Sequence, residues 1–494
     1  MSHPPTSPIS TKPPLREEER EILPDAMFRQ SLSPEAEFVL LGARTQLAGA
    51  RRARFDELLD CGGASPEEES GLNWRLVLDL SRKHRVTGLL GRHLSARSWR
   101  GVPRPLALSW GRYFGAMTLH GASLAGELAR VTHVLESAGV PVVSFKGPTL
   151  AHQAYGNSAV RPSADLDVLV SRSQVQRAHK ILCEMGYAHE ALLSPAQERA
   201  HLRLDSVFNL LRPAPEALQN FFPEGFALEL HWAITSPCLP FDLTFEDLAP
   251  RLGWMQLPGT SSVGSSAGAS GSNGSAASSV GSFSNGPATS STGSAVDVLG
   301  RVRTLALPDL LLILCVHGAK HLWERLLWLC DVAQLLDHAP DLDWDAVLRG
   351  AKARGIERMT ALGLSLTRDV MGVVLPREVE EWLSTQPQAL RLASRLRASL
   401  LWHRDLPAED YAVEQEESWE TSDEELPALE SNRLLAQAID NPWKRAGFFW
   451  HLATTPTAIE RAQVPLPSGF ESLWWVLGPL HALQSRWRRF ERDR

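Results

Sequence analysis

The chain has 494 residues, 44% of them hydrophobic, and a formal net charge of −7; this is enough apolar material for a core, and the charge gives no signal of a protein whose main partner is a phosphate backbone. Its five cysteines (Cys61, Cys183, Cys238, Cys315 and Cys330) are scattered, odd in number and without a CxxC pair, which argues against a disulfide framework and against zinc spacing. The N-terminus lacks a basic region followed by an apolar one, and apolar runs such as 310–316 fall short of the ~20 residues that span a bilayer, so no transmembrane segment is expected and a soluble, cytoplasmic protein is.

Residues 1–33 are rich in Pro, Ser and charge and read as a disordered arm. From Ser33 the text turns helical: Ser33-Pro34-Glu35 has a capping residue, proline at the first helical position and acid in the first turn. Further helices are expected over 73–95 and 105–138, the latter closed by Gly139, so 34–139 forms an N-terminal helical region. At Pro141 the pattern changes to short β runs separated by helices. Strands are expected at 142–145, 165–170, 206–211 and 226–232, with helices opening at Gly147 and running from Ser173 to Met185. Residues 140–258 are therefore a mixed α/β segment.

Residues 259–296 are almost entirely Gly, Ser, Ala and Thr, which cannot bury enough surface to offset the entropy of ordering them; they read as a flexible insertion. Beyond it, 301–307 reads as one more strand and Pro308 opens a helix to about Trp323, the start of a C-terminal helical domain over 297–404. Between Asp405 and Asn432 lie eleven acids and no Lys or Arg, which leaves the remainder of the chain at +4. We read 405–432 as a solvated acidic loop and 433–494 as a helical tail. Its Trp474-Trp475 pair and late arginines fit a peripheral helix with a basic end better than a membrane-surface helix.

The chemistry centres on Asp165-Leu166-Asp167-Val168-Leu169-Val170. On a strand, alternate side chains share a face, so Asp165 and Asp167 point one way and Leu166, Val168 and Val170 the other. Two carboxylates ~6.5–7 Å apart along a strand repel unless a cation or water intervenes, and magnesium takes one or two carboxylates together with substrate phosphates. Phe226-Ala227-Leu228-Glu229-Leu230-His231-Trp232 is a second alternating strand with Glu229 and His231 on its polar face. Paired beside the first, it supplies Glu229 as a third acid, enough for one or two metal ions. His231 is open to contacting a phosphate or orienting an acid, and fits best as a satisfied supporting histidine behind the acids. Lys146-Gly147 ends the first strand where a helix begins, an anion site of charge and free N–H groups, and Arg161 is a further candidate phosphate contact. His317, Lys320 and His321 fall at i, i+3 and i+4 on one helix face. Surface or packing is the ordinary account of that face; lining a nucleotide cleft or binding a metal are the sharper ones. Asp331 and Arg325 read as parts of an ordinary charged helix.

Taken together, Val-Val-Ser-Phe-Lys-Gly (142–147), Tyr155, Arg161-Pro162-x-x-Asp165-x-Asp167-x-Leu169-Val170, Gly186-Tyr187 and Leu228-Glu229-Leu230-His231-Trp232 resemble the uncharacterised nucleotidyltransferase family of the DNA polymerase β-like superfamily. The likeness continues through Leu307-Pro308-Asp309, His317 to His321 and Asp331, reaches back to Asn73-Trp74, and so covers most of 35–370 outside the insertion. The resemblance implies an α+β fold, a small mixed-sheet nucleotidyltransferase core flanked by N-terminal and C-terminal helical regions. It implies Asp165 and Asp167 as magnesium ligands with Glu229 as third acid, and a nucleoside triphosphate as substrate with an unidentified acceptor hydroxyl. The wider superfamily carries Gly-Ser where this chain has Lys146-Gly147, so a serine contact to the phosphates is missing and Lys146 stands in by charge. The alternative is a nucleotide-binding or scaffolding protein that retains the fold without turnover; a nucleic-acid-modifying enzyme would additionally require a basic stripe beside the site.

Overall fold

The computed structural model describes residues 29, 31–60, 71–189, 198, 201–202, 205–219, 222–237, 239, 241, 243–257, 300–400 and 428–454. Nearly all of the N-terminal arm, the Gly/Ser insertion, the acidic stretch as far as residue 427, the terminal Trp/Arg segment, Cys61 and Cys238 lie outside the described residues.

The chain opens with helices α1 (Pro34–Gly42), α2 (Gly49–Asp60), α3 (Trp74–Lys83), α4 (Thr87–Ala96) and the long α5 (Arg104–Ser137). The α/β part follows as β1 (Val142–Ser144), α6 (Gly147–Tyr155), β2 (Asp165–Val170), α7 (Val175–Glu184), β3 (Ala188–His189), β4 (Val207–Arg212), β5 (Phe226–His231) and a single turn α8 (Phe245–Leu248). A ribbon of β6 (Gly253–Gln256) and β7 (Arg301–Thr304) leads to α9 (Leu307–Lys320), α10 (Leu326–His338), α11 (Trp344–Arg354), α12 (Glu357–Met371), α13 (Arg377–Ser384) and α14 (Pro387–Leu400). Two more helices, α15 (Ala428–Gln437) and α16 (Pro442–Thr454), complete the described chain. Among the described residues, no helix is long and apolar enough to cross a membrane.

The fold is α+β: a small mixed sheet in the order β1-β2-β5-β4-β3, flanked by helices from both ends of the chain. β2 and β5 run parallel and bring Asp167 opposite Glu229, while β1 and β4 pair antiparallel on either side. Alternation then sorts the side chains. Leu166, Val168, Val170, Leu228 and Leu230 pack with α5 and α7 into one apolar core, while Leu169, Val143 and Phe145 belong to a second core shared with the helices. The acids sit on the helix-domain side of the sheet, at the seam between the two cores.

The strand expected over 301–307 ends at Thr304, and the acidic loop expected to reach 432 gives way to α15 from Ala428; the other expected strands and helices match these elements closely, apart from the following. The expected helix over 73–95 is two helices, because Arg85 takes a left-handed conformation (φ 54°) and the Val86 N–H closes back on the Ser81 carbonyl at 2.8 Å. That break has a tertiary cause. Freed from the helix, His84 accepts the Leu326 N–H through Nδ1 and the Leu327 N–H through its carbonyl, tying α3 to the start of α10. Strands β3 and β6 are too short and irregular to show as periodic text. The helix expected to run to Trp323 stops at Lys320, where Leu322 (φ 52°) and Trp323 (φ 57°) make a left-handed turn.

Trp323 explains that turn. Its side chain is fully buried in a slot between α9 and α12 floored by glycine: a methyl group added at Gly318 meets the indole at 2.5 Å, and one at Gly363 meets it at 2.7 Å. Burying an indole of this size is the driving force that holds two residues in a conformation costing roughly 1–3 kcal/mol each. The N-terminal and C-terminal helices also share one continuous apolar core. Buried arginines reinforce the joint, Arg51 donating to the Met371 carbonyl at 2.6 Å and Arg44 to Asp337 at 2.7 Å.

Gly318→Ala is expected to destabilise the protein by about 1–3 kcal/mol through overpacking, read as a lower urea midpoint with unchanged slope. His93, whose Nε2 donates to the Arg44 carbonyl at 2.6 Å, is pushed down to about 4 by burial, with Arg97, Arg92 and Arg51 adding to the depression. The unfolded chain therefore binds this proton first, and stability is lost as pH falls from about 6.5 toward 4, by ~2 kcal/mol between pH 7 and pH 5 for this residue. Urea titrations of His93→Gln at the two pH values should show a variant that is weaker at pH 7 but loses less on acidification; an equal loss in both proteins counts against this assignment.

Candidate active site

The turn from β1 into α6 sets the geometry. Gly147 has φ +54° and lies so close to β2 that a Cβ would sit 2.9 Å from the Asp165 carbonyl oxygen, so only glycine lets the helix start beside the strand. Lys146 is the N-cap residue of α6, and its side chain makes no cap bond. It reaches across to Asp167, with Nζ 2.5 Å from Oδ1, an ionic contact without well-aligned hydrogen-bond geometry.

Asp167 is buried at 1% exposure. Its register partner on β5 is Glu229, and two residues on, His231 turns Nε2 toward both acids, 2.9 Å from Glu229 Oε2 and 3.4 Å from Asp167 Oδ1. Donor atoms of Asp167, Glu229 and His231 all lie within 4.8 Å of one another, the one such group of three among the described residues. Asp165 stands one pleat away, opposite Ala227, at the more open end of the strand. The structure thus places His231 nearer Asp167 and Glu229 than a supporting position behind the acids requires.

Electrostatics follow from burial and crowding. Burial, then the Asp167 charge, raises the Asp165 carboxyl well above the usual carboxylate range. Burial acts in the same direction on Asp167, but the Lys146 ammonium and the His231 imidazole outweigh it and hold that carboxyl low. The same acids raise Lys146 and His231 against the desolvation that would lower them. Three acids thus face two basic groups, and the acid that lacks a direct partner is the one driven toward its neutral form. The carboxylates of Asp167 and Glu229, with Asp165 beside them, fit a divalent cation with substrate oxygens as further ligands, while the His231 imidazole holds the two acids together.

Arg161 is placed differently from the expected phosphate contact. It is buried and committed to Asp331 on α10, Nε to Oδ1 at 2.7 Å and Nη2 to Oδ2 at 2.9 Å, while Nη1 donates to Ser163. The Tyr155 hydroxyl donates to the same Oδ1 at 2.7 Å. The reason is physical: a guanidinium in this interior needs a bidentate carboxylate, and Asp331, itself 1% exposed, supplies it. Asp331 is accordingly a buried clamp between the helical domain and the loop that feeds β2, and the ordinary charged helix expected there is corrected. The family likeness reaches Asp331, but its role as the partner of Arg161 was missed, because a single Asp on an apolar helix carries no local mark of what it pairs with.

His317 and His321 project from α9 and contact each other and Trp328, with Lys320 exposed beside them. His317 lies close enough to the acids for the charges of Lys146 and Asp167 to act on it.

A small mixed sheet with acids on adjacent parallel strands, flanked by helices, fits a nucleotidyltransferase core. A sequence model of the uncharacterised nucleotidyltransferase family matches residues 70–259 and 287–372, more than half of the chain, and the protein belongs to that family. Neither the curated proteins nor the solved structures yield a significant match. The matched segments contain β1 to β5, Asp331 and the α9 histidines, and break only across the Gly/Ser insertion.

Asp331→Ala leaves the Arg161 charge buried and unpaired, so a loss of about 3–5 kcal/mol is expected; chemical unfolding measures it, and a variant as stable as the parent would refute the clamp.

Proposed function

We propose that the protein is a magnesium-dependent nucleotidyltransferase that moves a nucleoside monophosphate from a nucleoside triphosphate to an acceptor hydroxyl and releases pyrophosphate. The observation that carries this reading is the Asp167–Glu229–His231 group with Asp165 beside it, an arrangement of like charges that has no purpose in an idle fold.

Asp165, Asp167 and Glu229 would hold the metal. When bound, magnesium neutralises the triphosphate and polarises the phosphorus under attack. Lys146 sits at the mouth of the uncapped first turn of α6, where its ammonium and the free N–H groups steady phosphate oxygens. Its contact with Asp167 holds it at the site beforehand. Glu229 keeps a third of its side chain exposed, more than Asp167, and so can meet an acceptor hydroxyl. It takes the hydroxyl proton as the acceptor oxygen bonds to the α-phosphorus, and the opposite P–O bond breaks to release pyrophosphate. His231, donating through Nε2, keeps Glu229 and Asp167 together and spreads their charge. Arg161 acts at one remove by fixing the loop ahead of β2.

A nucleotide-binding protein without turnover is the second reading, favoured by the Lys146-Gly147 pair in place of Gly-Ser. The two separate on pyrophosphate release in the presence of each nucleoside triphosphate and magnesium. Release is expected from the parent, absent after chelation, and reduced on the order of 10³-fold in Asp165→Ala and Asp167→Ala with folding retained. Nucleotide binding without any pyrophosphate would select the second reading; no binding of any triphosphate would remove both.

A further inference from the structure

His317 on α9, His321 at its C-cap and Trp328 on α10 have no role in the chemistry above, yet the charges of Lys146 and Asp167 act on His317. His317 and His321 have ring centroids 4.8 Å apart, and Trp328 lies 5.6 Å from the first and 5.0 Å from the second. All three rings keep some accessible surface. Their ring nitrogens make no hydrogen bond with any described residue, and none is among the sealed buried polar atoms.

We propose that His317, His321 and Trp328 form the wall that receives the nucleobase of the nucleoside triphosphate, a reading that rests on the nucleotidyl transfer proposed above. Three features carry it. The first is chemistry: aromatic and imidazole faces stack on a planar heterocycle, and an uncharged imidazole is both donor and acceptor to its edge. Burial, with nearby Lys146 or Lys320, lowers both histidines, His321 to about 3, so they are neutral at physiological pH. The second is position. His317 stands within electrostatic reach of Lys146 and Asp167, and Lys320 beside it is exposed, a cation suited to the phosphates of the same nucleotide. The third is rigidity. The left-handed turn at Leu322 and Trp323, the glycine slot that grips Trp323 and the His84 bond to the Leu326 N–H fix α9 against α10, so the rings are held in place before a ligand arrives. A metal is the rival ligand for two histidines at i and i+4, but among the described residues no third ligating group joins them.

The test compares two probes that share phosphates but not a base. Binding of the four nucleoside triphosphates and of inorganic tripolyphosphate, each with magnesium, is measured by calorimetry on the full chain. The parent is expected to bind at least one nucleoside triphosphate more tightly than tripolyphosphate. Trp328→Leu and His321→Gln should weaken that nucleotide roughly 5- to 150-fold and leave tripolyphosphate unchanged, whereas Trp328→Phe keeps most of the affinity. Should Trp328→Leu fail to fold, the partly exposed His321→Gln still decides. Asp167→Ala is expected to weaken both probes, which reports on the metal site rather than the wall. Equal weakening of both probes by the ring variants, or of neither, overturns the proposal while the transferase reading stands. So does stoichiometric zinc binding that disappears in His317→Ala. A parent that binds neither probe sinks the transferase reading and this inference together.

Discussion

A carboxylate removed from water costs several kcal/mol unless something compensates it, and Asp167 is almost completely removed. Much of the structure around it is compensation. Lys146 approaches from the β1–α6 turn, His231 from the same sheet face, and the Arg161 charge stands close enough to be influenced by Asp167 while it is pinned by Asp331. The balance is deliberately incomplete: three acids are set against nearby bases, and the deficit falls on Asp165 at the open end of its strand. The crowding of like charge is set by the backbone register, because the parallel pairing of β2 with β5 is what brings Asp167 and Glu229 level.

Legibility in the sequence followed the range of the interactions. Alternation along 165–170 and 226–231 carries its own two-fold period, so both strands and their polar faces were readable, as was the Pro- and Gly-marked start of α6. Which strands pair is set by packing across the sheet, and the sequence left it open; the level placement of Asp167 and Glu229 is therefore a result of the structure. Arg161 shows the limit most clearly. Its spacing ahead of the acids suits a phosphate contact, but its partner is 170 residues away and carries no motif. The break after α3 was likewise invisible, since the text of 73–95 suits one helix and the interruption is imposed by contact with α10.

The helices from the two ends of the chain act as one body. Arg44 and Arg51 near the N-terminus bond to Asp337 and Met371 in the C-terminal part, and His84 holds the first residues of α10. The sheet meets this body through Leu169, Val143 and Phe145, residues next to the acids or on the strand beside them. The sheet and the helical body therefore meet through a few packed side chains rather than through loops.

The distance in sequence between Arg161 and Asp331 also has a bearing on biosynthesis. A chain emerging from the ribosome presents β1, β2 and the acids long before α10 exists, and in that interval the guanidinium of Arg161 has no interior partner and stays in water. The clamp on the loop that feeds β2 cannot close until Asp331 has been made. Long-range pairings of this kind slow folding. A polypeptide that ends before α10 carries Asp165, Asp167 and Glu229 without the clamp that fixes the loop ahead of β2.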